Sequence, residues 1–259
     1  MVCFDYDGTL LSEAEGVTEL PESVIESLEK LEKNGYLTVL ATGRTMLVSQ
    51  KITNYFSAFV AGNGGYVAVG DHVIENKTLA DEEVLFLVEE AEKMGTIYLL
   101  DSQNHSYTNG LQTPRLQTFM DTFSIPEEWM EPWNGFEDEG ISKIEMLYYN
   151  NKQKEQIIQT FGNRFYIADH PEDNYFDIGL SGITKGIGVE MLMEYLGLKE
   201  EDCYAFGDSD NDFEMFQAVG TGIAMKNHSI MLDHVTDMVT DGVSEDGIWN
   251  ALMKLGLIS

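Results

Sequence analysis

The chain has 259 residues, 45 of them acidic and 15 basic, for a formal net charge of −30. So acidic a surface argues against nucleic acid and anionic membranes as partners, because both are met with basic patches. Apolar residues make up 43%, enough for the core of one large domain or two smaller ones, and no apolar run approaches the ~20 residues of a membrane span.

Val2-Cys3-Phe4 reads as a strand, and Asp5-Tyr6-Asp7-Gly8-Thr9 follows it directly. Pro21-Glu22-Ser23 opens a helix whose Val24, Leu28 and Leu31 share one face, and Gly35 ends it. Residues 36–41 are a β-rich run. Thr42-Gly43-Arg44 is the turn after it, leading into a second helix near 45–54. A short strand over 58–61 precedes the turn Gly62-Asn63-Gly64-Gly65, and 66–69 with 72–75 flank Gly70-Asp71 as a hairpin. Strand–helix–strand alternation predicts an α/β fold with a doubly wound parallel sheet.

The middle of the chain has a different pattern. A helix over 81–94, a strand over 96–101, a hairpin-like stretch over 104–109 and a helix over 112–123 come first. Residues 124–140 look like loop, with Trp129 and Trp133 expected to pack rather than bind. A strand over 141–149, a helix over 152–161 and strands over 164–170 and 175–178 complete a largely antiparallel unit. From Thr184 the parallel pattern returns, with a helix at 186–196, a strand at 202–206, a helix at 211–218 and a strand at 221–224, then short helical pieces. The economical layout is a core built from 1–78 and 183–259, with a second α/β domain inserted over 79–182.

The second strand of note, residues 203–206, runs into Gly207-Asp208-Ser209-Asp210-Asn211-Asp212. Carboxylates just past strand C-termini of a parallel sheet converge at one edge, where such folds place ligands. Crowded carboxylates bind a cation, share a proton or repel. Asp5 can serve as a carboxylate nucleophile, and Asp7, two residues on, as general acid and then base. Read alone, Asp7-Gly8 is equally an ordinary turn. Asp208 is the best candidate for a direct Mg²⁺ ligand, with Asp5 and a backbone carbonyl opposite. Asn211 and Asp212 would orient phosphate, water or neighbouring groups. Thr42 and Gly43 offer a hydroxyl and N–H groups to a phosphate. Lys185 could neutralise the nucleophile and the transferring group, or simply be a surface lysine. Arg44 could contact substrate or cap the sheet edge, and Asn63 is placed to touch substrate.

The four signals DYDGT, ATGR, TKG and GDSDND, in that order, resemble the haloacid dehalogenase superfamily of phosphotransferases. Asn63-Gly64-Gly65, the run from Gly222 to Asn227 and the tail from Val243 to Ile248 are most similar to its Cof-type phosphatases. The resemblance covers essentially the whole chain. It implies a Rossmann-like core with an inserted α/β cap that selects the substrate. It implies Asp5 as nucleophile and Asp7 as acid/base. Mg²⁺ would be held by Asp5, the backbone oxygen of Asp7 and Asp208, and phosphate by Thr42, Gly43, Lys185 and Asn211. Only Met1 to Phe4 precede the nucleophile, fewer than is usual there. Either the true start lies upstream or the first strand is short and less anchored. Asp210 makes the fourth motif unusually acidic.

The function expected is Mg²⁺-dependent hydrolysis of a small-molecule phosphate ester, sugar phosphates favoured. A phosphomutase and a non-catalytic phosphometabolite-binding protein are the alternatives. Two cysteines, Cys3 and Cys203, without a CxxC, point to reduced core thiols in a cytoplasmic protein. The five histidines lack zinc-site spacing.

Overall fold

The computed structural model describes residues 1–123, 125–135 and 140–259. Its strands are β1 (Val2–Phe4), β2 (Thr38–Ala41), β3 (Ala58–Ala61), β4 (Tyr66–Val69), β5 (His72–Asn76), β6 (Ile97–Asp101), β7 (Ser106–Thr108), β8 (Met130–Pro132), β9 (Lys143–Leu147), β10 (Tyr166–His170), β11 (Tyr175–Gly179), β12 (Tyr204–Gly207), β13 (Thr221–Ala224) and β14 (Met238–Val239). Its α-helices are α1 (Glu22–Lys33), α2 (Met46–Ser49), α3 (Asp81–Met94), α4 (Pro114–Phe123), α5 (Asn151–Phe161), α6 (Lys185–Leu196), α7 (Phe213–Ala218) and α8 (Gly247–Lys254). The chain divides into two compact units. One comprises Met1–Arg44, Ser49–Asn76 and Ile183–Ser259, and the other comprises Thr45–Val48 and Lys77–Gly182.

The first unit is a Rossmann-like core. Its eight-stranded sheet has the order β14-β13-β12-β1-β2-β3-β4-β5. The pairs from β14 through β3 are parallel, and β4 and β5 add an antiparallel edge. β1 is central and wholly buried. The chain leaves it toward β2 and returns on its other side at β12, so the C-terminal ends of β1 and β12 form a topological switch point. Short as it is, at three residues, β1 is paired at every residue on both sides, to β2 and to β12.

Alternation along β1 sends Cys3 to one face and Val2 and Phe4 to the other. On the Cys3 face, Val39, Val60 and Ala205 pack with Val189, Leu192 and Met193 of α6 and with Met215 and Phe216 of α7. On the other face Phe4 stacks on Phe206 with centroids 5.1 Å apart. α1 packs against β2 and α8, burying Val24, Leu28 and Leu31 at the predicted spacing. Each such burial contributes roughly 1.5–3 kcal/mol. Cys3 and Cys203 are buried free thiols. Among the described residues no helix is long and apolar enough to cross a membrane.

The second unit has a six-stranded sheet, order β10-β11-β9-β6-β7-β8, antiparallel except where β8 joins β7. α3 and α5 cover one face through Leu87, Val88, Ile157 and Phe161, and Leu116, Phe119 and Met120 of α4 pack on Leu99, Leu147 and Tyr175. Trp133 packs beside Tyr107, and Trp129 against the α4 cluster.

Two predicted elements differ. The helix near 45–54 is only α2, followed by a 3-10 turn at Thr53–Tyr55. The stretch predicted as loop contains β8, and its residues 124 and 136–139 lie outside the described residues.

Candidate active site

Four strand ends and one helix start build the site. Asp5 follows β1, Thr42 and Gly43 follow β2, Asn63 follows β3, Asp208 follows β12, and Lys185 is the first residue of α6. Thr184 caps α6, its hydroxyl accepting from the Ile187 N–H at 3.3 Å. Gly188 lets the helix approach β3, since a Cβ there would lie 2.5 Å from Val60 Cγ1. A lysine at a helix N-terminus faces the unfavourable end of the helix dipole. Here two carboxylates outweigh it.

Lys185 is 1% exposed, so the surface reading of this lysine is set aside. Its Nζ donates to Asp5 Oδ1 and, at 2.7 Å, to Asp212 Oδ1. Burial alone would lower its pKa, but Asp212 and Asp5 together hold it above the ordinary lysine value. Asp5 is 3% exposed. Burial first, then the charge of Asp212, push its carboxyl well above the usual range, and Lys185 offsets only part of this.

Asp208 Oδ1 accepts from Thr9 Oγ1 at 2.9 Å. Burial and the Asp212 charge raise its pKa to about 7. Oxygens of Asp5, Asp208 and Asp212 lie within 4.8 Å of one another. Asp212 is already engaged by three donors, its Oδ2 accepting from the N–H groups of Asp208 (2.9 Å) and Ser209 (3.1 Å) and its Oδ1 from Lys185. Asp5 and Asp208 are thus the less engaged carboxylates for a hard cation to meet. A buried and a half-buried carboxyl with raised pKa, of which only Asp5 touches Lys185, fit Mg²⁺, whose charge would relieve their repulsion.

Asp7 occupies different surroundings from Asp5. β1 ends at Phe4, so strand alternation does not extend to Asp7. Its side chain is 60% exposed and accepts from two Arg44 nitrogens, Nε at 2.8 Å and Nη2 at 2.7 Å. The Arg44 guanidinium lies 4.3 Å from the centre of the Tyr6 ring. Arg44 thus holds Asp7, a role absent from both readings of the sequence. Asn211 Nδ2 donates to Asn63 Oδ1 at 3.1 Å, and a Cβ on Gly43 would stand 3.0 Å from that same oxygen, so Gly43, Asn63 and Asn211 share one corner. Thr42 is buried, its hydroxyl accepting from the Arg44 N–H at 3.0 Å. Asp210 is exposed and accepts from the Ser229 hydroxyl, which ties the loop together. Thr9, Ser209 and Tyr6 belong to the site but carry no sequence signal beyond lying inside the motifs.

The sequence pattern of haloacid dehalogenase-like hydrolases matches residues 2–252. The chain belongs to that family. A solved hypothetical protein of Geobacillus kaustophilus HTA426 has a similar structure, at 31% identity and a TM-score of 0.89, over 99% of this chain and 98% of that one. HMP-PP phosphatase of Escherichia coli O6:H1 is 27% identical over 243 residues, 88% of this chain and 84% of its own. The 5-amino-6-(5-phospho-D-ribitylamino)uracil phosphatase YcsE of Bacillus subtilis is 24% identical over 256 residues, 97% and 94% of the two chains.

Within this haloacid dehalogenase-like site Gly8 is fixed by geometry. Its φ is +81°, and a Cβ would lie 2.2 Å from Asp208 Oδ2. Gly8→Ala is expected to cost about 1–3 kcal/mol in backbone strain and to displace Asp208. Thermal melts with and without Mg²⁺ would show a lower midpoint and a lost Mg²⁺ shift. An unchanged Mg²⁺ shift would contradict this.

Proposed function

We propose that the protein is a Mg²⁺-dependent phosphomonoester hydrolase of small phosphorylated metabolites, sugar phosphates favoured, working through an aspartyl-phosphate on Asp5. The observation that carries the reading is the buried Asp5–Lys185–Asp212 chain with Asp208 beside it at the switch point. The phosphatase names of the two relatives support it, and one of their substrates carries a ribityl phosphate chain.

Mg²⁺ would be held by Asp5, the backbone oxygen of Asp7 and Asp208. Bound there, it supplies positive charge between the nucleophile and the phosphate that Asp5 would otherwise repel. Thr42, Gly43, Lys185 and Asn211 hold the phosphate, with Arg44 and Asn63 beside it. An Asp5 oxygen attacks phosphorus and the ester P–O bond breaks, while Asp7, having left its Arg44 pair and taken up a proton, gives that proton to the leaving oxygen. In the second step Asp7 takes a proton from water, the water oxygen bonds to phosphorus, and the P–O bond to Asp5 breaks. Inorganic phosphate leaves and Asp5 is restored. Lys185 balances the Asp5 charge in both steps. The Lys77–Gly182 unit is the cap, which selects the leaving group and excludes water during transfer. Reduced buried thiols fit a cytoplasmic setting.

The test is phosphate release from a panel of phosphorylated metabolites, with Mg²⁺ and with chelator. Mg²⁺-dependent release supports the reading, and isomerised ester without free phosphate would replace it with a mutase. A pH series adds a second check. The Asp208 pKa is raised from 3.8 to about 7, so in metal-free protein its contribution to stability is present below pH ~4 and is lost as pH rises through ~7. Mg²⁺ competes with that proton. The rise in melting temperature on adding Mg²⁺ should therefore be small at pH 5 and large at pH 8. A shift independent of pH would sink the assignment of Asp208 as ligand.

A further inference from the structure

Two of the runs similar to Cof-type phosphatases, Gly222 to Asn227 and Val243 to Ile248, take no part in the proposed reaction. The first spans β13 and the turn after it, and the second lies just beyond β14. They are tied to each other. Lys226 Nζ donates to both carboxylate oxygens of Glu245 at 2.8 Å, and Glu245 Oε2 also accepts from the Gly242 N–H at 3.0 Å. The Thr240 N–H donates to the Ala224 carbonyl at 2.9 Å, which fixes the two runs on the core sheet.

Both runs reach the same carboxylate. Asn227 Nδ2 donates to Glu15 Oε1 at 3.0 Å, and the N–H and hydroxyl of Ser244 both donate to Glu15 Oε2 at 2.9 Å. The Ser244 N–H above all holds the Glu15 carboxyl below the ordinary glutamate range, and hydrogen bonds to an ionised acceptor are about twice as strong as neutral ones. Gly242 leaves the space for it, since a Cβ there would stand 2.8 Å from Glu15 Oε2.

Glu15 sits at the tip of an arm that begins at Asp7. The Gly8 N–H donates to the Leu11 carbonyl at 2.7 Å and the Leu11 N–H to the Tyr6 carbonyl at 3.0 Å, so a tight turn closes around Asp7. Ser12 and Val17 then pair antiparallel, with Glu13–Glu15 as a 3-10 turn between them. No residue of that turn is buried. Among the described residues, every hydrogen bond from residues 12–17 to a more distant part of the chain ends on the Glu15 carboxylate. An exposed arm with so little apolar burial opens easily unless something restrains it.

We propose that Glu15 is a positioning residue for Asp7: its hydrogen bonds to Asn227 and Ser244 fix the arm, and with it the backbone from which Asp7 serves the leaving oxygen after parting from Arg44. The inference rests on the phosphatase reading above. With the arm released, Asp7 is misplaced and delivers its proton poorly, and esters whose leaving group needs that proton suffer most.

The experiment measures kcat/KM with Mg²⁺ on phenyl phosphate and p-nitrophenyl phosphate for wild type, Glu15→Ala, Glu15→Gln and Gly242→Ala. This ratio covers the reaction only through departure of the leaving group, and phenoxide needs a proton there more than p-nitrophenoxide does. In Glu15→Ala the value for phenyl phosphate should fall on the order of 10²-fold, which is what a misplacement of about 1 Å costs, and that for p-nitrophenyl phosphate less than about tenfold. Gly242→Ala keeps every hydrogen-bonding group but pushes the Glu15 carboxylate aside, its φ of −69° being open to alanine, and should show the same bias. Glu15→Gln keeps an acceptor oxygen for Ser244 and should fall between wild type and Glu15→Ala. Unfolded protein lowers both values alike, so the bias between the two esters separates positioning from folding. An unchanged bias in Glu15→Ala, or in Gly242→Ala where Glu15→Ala does not fold, overturns the inference alone. So does a wild type that turns over p-nitrophenyl phosphate and not phenyl phosphate, because no acid then serves the leaving oxygen. No release from either ester by folded wild type overturns the phosphatase reading and this inference with it.

Discussion

Asp5→Asn is expected to abolish phosphate release, a loss on the order of 10⁴-fold or more given what removal of a nucleophile costs hydrolases, while the protein stays folded. The amide keeps the shape of the carboxyl and removes only its charge. The folded-state pKa of Asp5 is raised, chiefly by burial and by Asp212. A carboxyl of this kind contributes stability below its unfolded value and loses it as pH rises through its folded value. Ionising Asp5 therefore costs the metal-free fold stability, and asparagine is neutral at every pH. Lys185 retains Asp212 at 2.7 Å in the variant. The melting temperature of metal-free Asp5→Asn should equal or exceed that of wild type, and its rise with Mg²⁺ should shrink. Catalysis and stability thus move in opposite directions, which simple misfolding cannot produce. Hydrolysis retained by this variant would refute Asp5 as the nucleophile.

How far the sequence could be read followed the range of the interactions involved. α3 and β3 have the predicted bounds, because helical and strand spacing are local. α2 is shorter than predicted because residues 45–54 look helical one by one, whereas the chain breaks into a 3-10 turn before β3. β8 was invisible because it exists through pairing with β7, more than twenty residues earlier in the chain, and Pro132 at its end discourages a strand assignment. In the site, the order of motifs exposed the carboxylates, but their partners were hidden. Thr9 reaches Asp208 across 199 residues, and Arg44 reaches Asp7 across 37. Nothing adjacent to Lys185 indicates that it will be buried. Its environment comes from Asp5 and Asp212, 180 and 27 residues away.

That buried lysine carries the largest expected effect on stability. Lys185→Met preserves length and apolar volume but leaves Asp5 and Asp212, both under 4% exposed, without their shared cation. Breaking a buried pair by removing one partner costs about 3–5 kcal/mol, which for a chain of this size is roughly 6–20 °C in melting temperature. The loss should depend on pH. Lys185 is among the influences that lower the Asp5 pKa, so without it Asp5 rises further. The protonated carboxyl is tolerated in the interior and the ionised one is not. The gap between wild type and variant should narrow as pH falls and Asp5 takes up its proton. Mg²⁺ should restore part of the stability by replacing the missing charge, but not the activity, because Lys185 also faces the phosphate in the proposed reaction. Denaturant titrations at pH 5 and 7.5, each with Mg²⁺ and with chelator, separate these terms. A Lys185→Met protein as stable as wild type at neutral pH would mean that Asp5 and Asp212 do not depend on the lysine, and the electrostatic account of the site would fail with it.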